Sequence, residues 1–317
     1  MKIHKMSISR VNTLKLSYQY YLMLFLCIMF SFSAILSLYA LTNDLDKCNC
    51  SKEKTLYTTY TSKKLISSMH KLAILVPYKE RFEELMEFAP YMYNFLNRQK
   101  VNFDIIILNQ VDQYRFNRAS LINAGFLEVR ANYDYIAMHD VDLLPLNPQL
   151  LYSYPEQPIH LAAPTLHPRY HYEKFIGGIL LINKKQFELV NGLSNRYWGW
   201  GLEDDEFYVR LRDAHINITR PVNITTGIDG TFRHVHGKER KRDTVKCYNQ
   251  REVTRRRDRQ TGLHDVNYTV LSNINMEIQG APLIVINIRL FCNYSATPWC
   301  DCSKSTEFSV KQKKSSE

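Results

Sequence analysis

The sequence predicts an α/β protein built on a mostly parallel sheet with helices on both faces, preceded by a single N-terminal transmembrane helix. Three observations carry this reading. From residue 71 onward, short apolar runs alternate with amphipathic stretches. One apolar stretch near the N-terminus, from Leu16 to Asn43, holds no charged residue. The 317 residues are 45% hydrophobic and 12% aromatic, enough to bury a sizeable core, which excludes a globally disordered chain.

Residues 1–19 read as a cytosolic tail and 20–41 as a signal anchor. At about 1.5 Å per residue, Tyr20 to Leu41 reaches across a hydrocarbon core of roughly 30 Å. Lys2, Lys5, Arg10 and Lys15 flank it with no acid among them, so the positive-inside rule places the tail in the cytosol and the body in the lumen. A cleaved signal peptide is the competing reading; the long apolar run and the lack of a small-x-small site weigh against it. Residues 42–70 are rich in Ser, Thr and Lys, the composition of a flexible stem. The catalytic body is expected over 71–305 and a tail over 306–317.

Within the body, Leu72 to Val76 and Asp104 to Asn109 are apolar strands with an amphipathic helix, Phe82 to Leu96, between them, a β-α-β unit. Asn117 to Ala124 reads as a helix closed by Gly125, and Tyr135 to His139 as a buried strand ending at Asp140-Val-Asp142. Beyond residue 150 come an irregular Tyr/Pro-rich stretch, a strand at Gly178 to Asn183, a helix from Lys184 to Asn191, a helix from Asp204 to Ala214 and a strand from Pro282 to Asn287. Ligands of such sheets sit at the carboxyl ends of the strands, where Pro77 to Arg81 and Asp140 to Asp142 both fall.

The net charge of +10 is local. Lys238 to Arg259 holds ten Lys/Arg against four Asp/Glu, a net of +6. Such a patch suits any polyanion, but a membrane span argues against a nuclear nucleic-acid binder. Cys247, Cys292, Cys300 and Cys302 fit no common zinc spacing. As disulfides they allow three pairings, and Cys247–Cys302 with Cys292–Cys300 is the expected set, which the count of pairings does not establish. Sequons at Asn49, Asn217, Asn223, Asn267 and Asn293 permit glycosylation in the same compartment.

Three clusters carry chemistry. Asp140-Val-Asp142 can present a carboxylate to a hard divalent cation, although a turn cap would use the same residues. His234-Val-His236 places two imidazoles on one face of an extended segment, and with one carboxylate they form a mixed N/O site. In Trp198-Gly-Trp-Gly-Leu-Glu-Asp-Asp205, two indoles offer flat faces for a sugar, and three adjacent carboxylates raise one another's proton affinity. The same acids could simply stabilise a helix N-terminus.

Taken together with Pro77-Tyr-Lys-Glu-Arg81, Phe116-Asn-Arg118 and Gly177-Gly178, these clusters resemble the β-1,4-galactosyltransferase family over about residues 70 to 302. Leu202, Glu206 and the His-Val-His form resemble its xylose-directed members, which extend the proteoglycan linker. Glucosamine-directed members have Gly and Asp at the first two positions. They also carry a Met-x-x-His metal pair whose Met position is Thr231 here, so the second histidine ligand passes to His236.

The resemblance implies a GT-A-like fold, Mn²⁺ as cofactor, and UDP-galactose and a xylosylated core protein as partners, at the Golgi membrane in single-pass type II topology. It implies metal ligation by Asp142, His234 and His236, and Asp204 as catalytic base. Donor contacts fall on Pro77, Tyr78, Lys79, Arg81, Phe116, Asn117, Arg118, Val141, Asp142, Trp200, His234 and His236. Acceptor contacts fall on Tyr170, Tyr172, Gly201, Leu202, Glu203, Asp204 and Asp205. A second expectation is a lid formed by the Gly-flanked Trp200 and the charged stretch after His236. A lumenal lectin-like binder without turnover is the alternative from another class, and a binder has no need of a base; acceptor transfer to N-acetylglucosamine is the other.

Overall fold

The computed structural model describes residues 21, 23–35, 69–237, 240–303 and 305. The chain divides into two compact units, Met1–Thr58 and Thr59–Glu317. In the first, residues 23–35 are helical; the rest of the expected span, most of the stem, and both tails lie outside the described residues. Among the described residues no helix is long and apolar enough to cross a membrane.

The second unit opens with β1 (Lys71–Tyr78), α1 (Phe82–Gln99) and β2 (Asn102–Gln110). Next come α2 (Arg118–Val129), β3 (Tyr135–His139), β4 (Leu143–Pro145) and β5 (Ile159–His160). After them lie β6 (Ile179–Asn183), α3 (Lys184–Leu189), α4 (Glu203–Asp213), α5 (Gly227–Thr231) and β7 (Phe232–His234). The chain continues through α6 (Gln250–Val253), β8 (Tyr268–Ile278) and β9 (Ala281–Leu290).

Seven strands form one sheet in the order β5-β6-β3-β1-β2-β9-β8. Strand β1 is buried almost end to end because both its faces are covered. Leu72, Ile74 and Val76 pack with Phe88, Met92 and Leu96 of α1, while Ala73 and Leu75 face Leu121, Ile122 and Phe126 of α2. Each such side chain contributes about 1.5–3 kcal/mol on burial. Helices on both faces are thus as expected, but the sheet is mixed rather than mostly parallel. The β1–β2, β1–β3 and β2–β9 ladders run parallel; β3–β6, β5–β6 and β8–β9 run antiparallel. The physical reason lies in the connections: β6 returns from a long irregular excursion and β8 joins β9 through the turn at Gln279 and Gly280, both at positive φ. Neither needs a crossover helix.

Two sequence expectations need correction at element level. Gly125 does not close α2, which runs on to Val129. A Cβ there would lie 2.5 Å from the Leu108 methyls, so this glycine lets the helix settle onto β2. Strand β8 was not expected; it is the edge strand of the sheet, and Leu271, Ile274 and Met276 stand exposed on it.

Candidate active site

The short β4–β7 ladder decides the centre of the site. Leu143 pairs with His234, and the Val235 amide donates to the Asp142 carbonyl at 2.7 Å. Since residues i and i+2 of an extended chain face the same way, His234 and His236 both turn toward the end of β3. His234 Nε2 lies 3.5 Å and His236 Nδ1 3.3 Å from Asp142 Oδ2. The two imidazoles are stacked, 5.2 Å between centroids. One ligand atom from each of the three residues lies within 4.8 Å of the others. Two imidazole nitrogens and one carboxylate oxygen converging on one point are a donor set that Mn²⁺ accepts. Burial alone would raise the Asp142 carboxyl, but the two histidines hold it below the usual range.

Asp140, the other carboxylate of the turn, points instead to Arg118, whose Nε donates to it at 2.8 Å. Behind the turn, His139 is wholly buried between the Asp140 carbonyl and the Tyr152 hydroxyl, each at 2.9 Å. Burial lowers its pKa to about 4, so the ring is neutral.

A cleft of about 560 Å³ opens in front of this centre. Its floor includes Pro77, Lys79 and Arg81 from the end of β1, Phe116 and Arg118 from the start of α2, and Val141 and Asp142. The opposite wall carries Tyr170, Tyr172 and the run Trp200, Gly201, Leu202, Glu203, Asp204 and Asp205. The structure therefore gathers nearly every expected site residue in one place, although they come from six segments. Tyr78 and Asn117 do not line the cleft. Tyr78 packs against the core on the α1 side. Asn117 is 0% exposed, caps α2 by accepting from the Ser120 amide at 2.9 Å, and donates to the Asn195 carbonyl at 3.0 Å. Its polar atoms are committed within the protein, so it positions Phe116 and Arg118. Lys79 likewise spends its ammonium on the Asp112 and Tyr114 carbonyls.

The tryptophans divide their work. Trp198 is 3% exposed and belongs to the core, with Tyr114 packed edge-on against it. Only Trp200, 45% exposed, offers its face to the cleft, so the expectation of two free indoles is corrected to one. Gly199 and Gly201 have φ of +79° and +99°, which a side chain rarely adopts. They turn the chain sharply enough to bury one indole and expose the next.

The three acids form the first turn of α4 and also line the cleft. Burial, then the neighbouring Glu203 and Asp205 charges, push the Asp204 carboxyl up to about 8 against the pull of Arg118. Glu203 is raised by burial as well, and its Oε2 is buried without a hydrogen-bond partner in the protein. An orphaned carboxylate oxygen of this kind is what a ligand hydroxyl would satisfy. Tyr172 hydrogen-bonds Asp205. A Cβ on Gly177 would sit 2.7 Å from Asp204 Oδ2, which explains why a glycine is needed behind the acid. Glu206 faces away, both its oxygens accepting from Arg210 Nε at 2.9 Å.

Several contributors were invisible in the sequence because their partners are more than a hundred residues away. Arg115 holds Asp243 through two hydrogen bonds of 2.7 and 2.9 Å and also reaches the Val245 and Trp299 carbonyls. Arg240 pairs with Glu83 and the buried Glu84 at the start of α1. The Trp200 amide donates to the Asp243 carbonyl at 2.8 Å, and the Arg242 guanidinium lies 5.3 Å above the Trp200 ring. The segment after His236 is thereby strapped across the cleft mouth. Its far end is tied by Cys247–Cys302, and Cys292 pairs with Cys300, with Cα separations of 5.7 and 6.0 Å; this is the expected pairing.

An Asp/His/His centre and a buried acid at the carboxyl edge of a mixed α/β sheet define a metal-dependent glycosyltransferase of the GT-A kind. Two family models match: an N-terminal region of glycosyl transferase group 7 over residues 40–155, and an N-terminal domain of galactosyltransferase over residues 157–235. The chain is 58% identical over 240 residues to β-1,4-galactosyltransferase 7 of Drosophila melanogaster, covering 75% of this chain and 74% of that one. The Homo sapiens protein of the same name is 54% identical, covering 74% and 72%. Xylosylprotein 4-β-galactosyltransferase of Caenorhabditis elegans is 48% identical, covering 78% and 88%. The catalytic domain of the Drosophila protein, solved with xylobiose, superposes with a TM-score of 0.73 over 74% of this chain and 100% of that one. A mutant of it, solved with manganese, UDP-Gal and xylobiose, matches equally well. The chain belongs to the β-1,4-galactosyltransferase family.

Proposed function

We propose that this protein transfers galactose from UDP-α-galactose to O4 of a β-xylose carried on a protein, with inversion at the anomeric carbon. The observation that carries this reading is the convergence of Asp142, His234 and His236 with the elevated Asp204 carboxyl in one cleft. The likeness to a protein solved with manganese, UDP-Gal and xylobiose supports it.

Mn²⁺, held by Asp142, His234 and His236, would supply positive charge to the leaving diphosphate. Asp204 takes the proton from the acceptor hydroxyl as its oxygen forms the bond to C1 of galactose. The C1–O bond to UDP breaks with its electron pair going to the diphosphate, so one displacement turns α into β. A base whose pKa lies near neutrality is suited to that transfer. Trp200 lies against the donor sugar and phosphate, and Pro77, Lys79, Arg81, Phe116 and Arg118 frame its nucleoside end. Glu203 and Asp205 take sugar hydroxyls, while Tyr170, Tyr172 and Leu202 pack against the acceptor ring. The strap after His236 excludes water, which competes with the acceptor for the same carbon.

The deciding experiment offers the purified full-length chain, UDP-galactose and Mn²⁺ either a simple β-xyloside or a β-N-acetylglucosaminide. Transfer to the xyloside alone is expected; transfer to the glucosaminide alone would overturn the acceptor. The reading extends to a Golgi-membrane enzyme of type II topology, with 20–41 as anchor, 42–70 as stem and 71–305 as catalytic body. The charge-free run, its basic flank and two disulfides in the body support that topology.

A further inference from the structure

Beside the cleft mouth lies a shallow groove whose described lining includes four cationic side chains and no acid. Arg240 is committed to Glu83 and Glu84. Arg169, Lys241 and Arg242 have no paired acid among the described residues. The Arg242 guanidinium lies over both Tyr170 and Trp200, at 5.8 and 5.3 Å, while Arg169 and Lys241 are exposed. Tyr170 and Trp200 line both the groove and the cleft, so the groove continues the acceptor wall outward. Among the described residues no carboxylate pairs with these three cations, whereas surface arginines and lysines normally interleave with acids. Their arrangement makes sense when an anion completes it.

We propose that this groove binds acidic residues of the polypeptide that carries the acceptor xylose. The inference rests on the acceptor assignment above. If the sugar occupies the cleft against Tyr170 and Tyr172, whatever is attached to its reducing end must leave through the mouth, and the groove lies on that path. The donor diphosphate is the other anion at hand, but its charge would be met by the Mn²⁺ that Asp142, His234 and His236 would hold. Exposed cations of this kind act over about 8–10 Å at moderate salt. They raise the encounter rate and residence of acidic chains without touching the reacting atoms.

The test compares two xylosylated peptides of equal length, one with acidic residues flanking the xylosylserine and one with Gln and Asn in their place, alongside benzyl β-xyloside. The proteins are the full-length wild type, Arg169→Gln, Lys241→Gln and the double variant. Each exposed ion pair is worth a factor of about two to five. The wild type is therefore expected to favour the acidic peptide by about tenfold in kcat/KM, and the double variant to lose most of that preference. In Arg169→Gln, which lies outside the strap, benzyl xyloside turnover and the KM for UDP-galactose stay at wild-type values, and raising the salt erases the preference. The proposal is overturned if the wild type does not distinguish the peptides, or if Arg169→Gln loses the benzyl xyloside equally with a raised KM for UDP-galactose, which would assign the cations to the donor. It is also overturned if a sulfated oligosaccharide competes while peptide charge has no effect. Peptide binding followed by fluorescence anisotropy separates the two levels of failure. Charge-dependent binding without transfer counts against the assigned reaction; transfer to benzyl xyloside without charge dependence counts against the groove.

Discussion

Asp204 stands where two demands on one residue conflict. As part of the first turn of α4 a carboxylate is welcome, yet burial between Glu203 and Asp205 disfavours its charge and lifts the pKa from 3.8 to about 8. Two predictions follow from the sign of that shift. A base works only when deprotonated, so kcat/KM should climb with pH, reach half its plateau near pH 8 and level off above it; a profile flat from pH 5.5 to 8.5 would remove Asp204 from the role. For stability, the folded state keeps a proton that the unfolded state has released between about pH 4 and about 8. Stability contributed at low pH is therefore lost across that window as pH rises. Asp204→Asn removes the buried charge, so it should lower kcat by about 10²–10⁴-fold while raising the melting temperature, most clearly above pH 8. Differential scanning fluorimetry at pH 6 and pH 9 checks the second half. The trade between activity and stability is a common one at active sites. The choice of Asp204 among three adjacent acids as the base rests on resemblance alone; its burial and its closeness to Gly177 come from the fold.

At the scale of elements, the glycine of α2 and the strap across the cleft make separate predictions. Gly125→Ala forces a methyl into Leu108 and should cost about 1–3 kcal/mol, read as a lower denaturant midpoint with an unchanged slope. Arg115→Ala leaves Asp243 without its guanidinium and frees the segment that carries the Trp200 amide contact. It should raise the KM for UDP-galactose and speed proteolysis between His236 and Cys247; an unchanged cleavage rate would show that the disulfide alone holds the strap. The parallel core was readable because β1, β2 and β3 are continuous apolar runs, the mark of strands covered on both faces. Of the β8–β9 hairpin only β9 was, as the apolar run Pro282 to Asn287. In β8 the alternation is interrupted at Leu271 and Ser272, where the register shifts, and its turn is Gln279-Gly280 rather than a stronger Asn-Gly signal.

For the whole molecule, the cross-links and the topology can be tested together. Cys247→Ser with Cys302→Ser opens a loop spanning 55 residues and should cost about 2–5 kcal/mol. Removing divalent cations with a chelator should abolish transfer, with added Mn²⁺ restoring it. In sealed microsomes the body should resist added protease until detergent is supplied, and digestion before detergent would overturn lumenal placement. The basic segment shows why charge alone says little about function. Part of its excess is neutralised inside the structure, by Glu83 and Glu84 on Arg240 and by Asp213 on Arg257, and part is left facing the groove.

By itself the sequence determined the apolar strands, the helices between them, and the residue types able to hold a metal and move a proton. These are local properties, set by the spacing of side chains along the backbone. What only the tertiary structure decided is which of those residues meet. The β4–β7 register brings His234 and His236 to Asp142 across some ninety residues. Two left-handed glycines bury Trp198 and expose Trp200, and the packing of α2 turns Asn117 from a candidate ligand contact into a helix cap. Contacts between distant segments depend on how sheet and helices close around the core, and no local pattern encodes that distance.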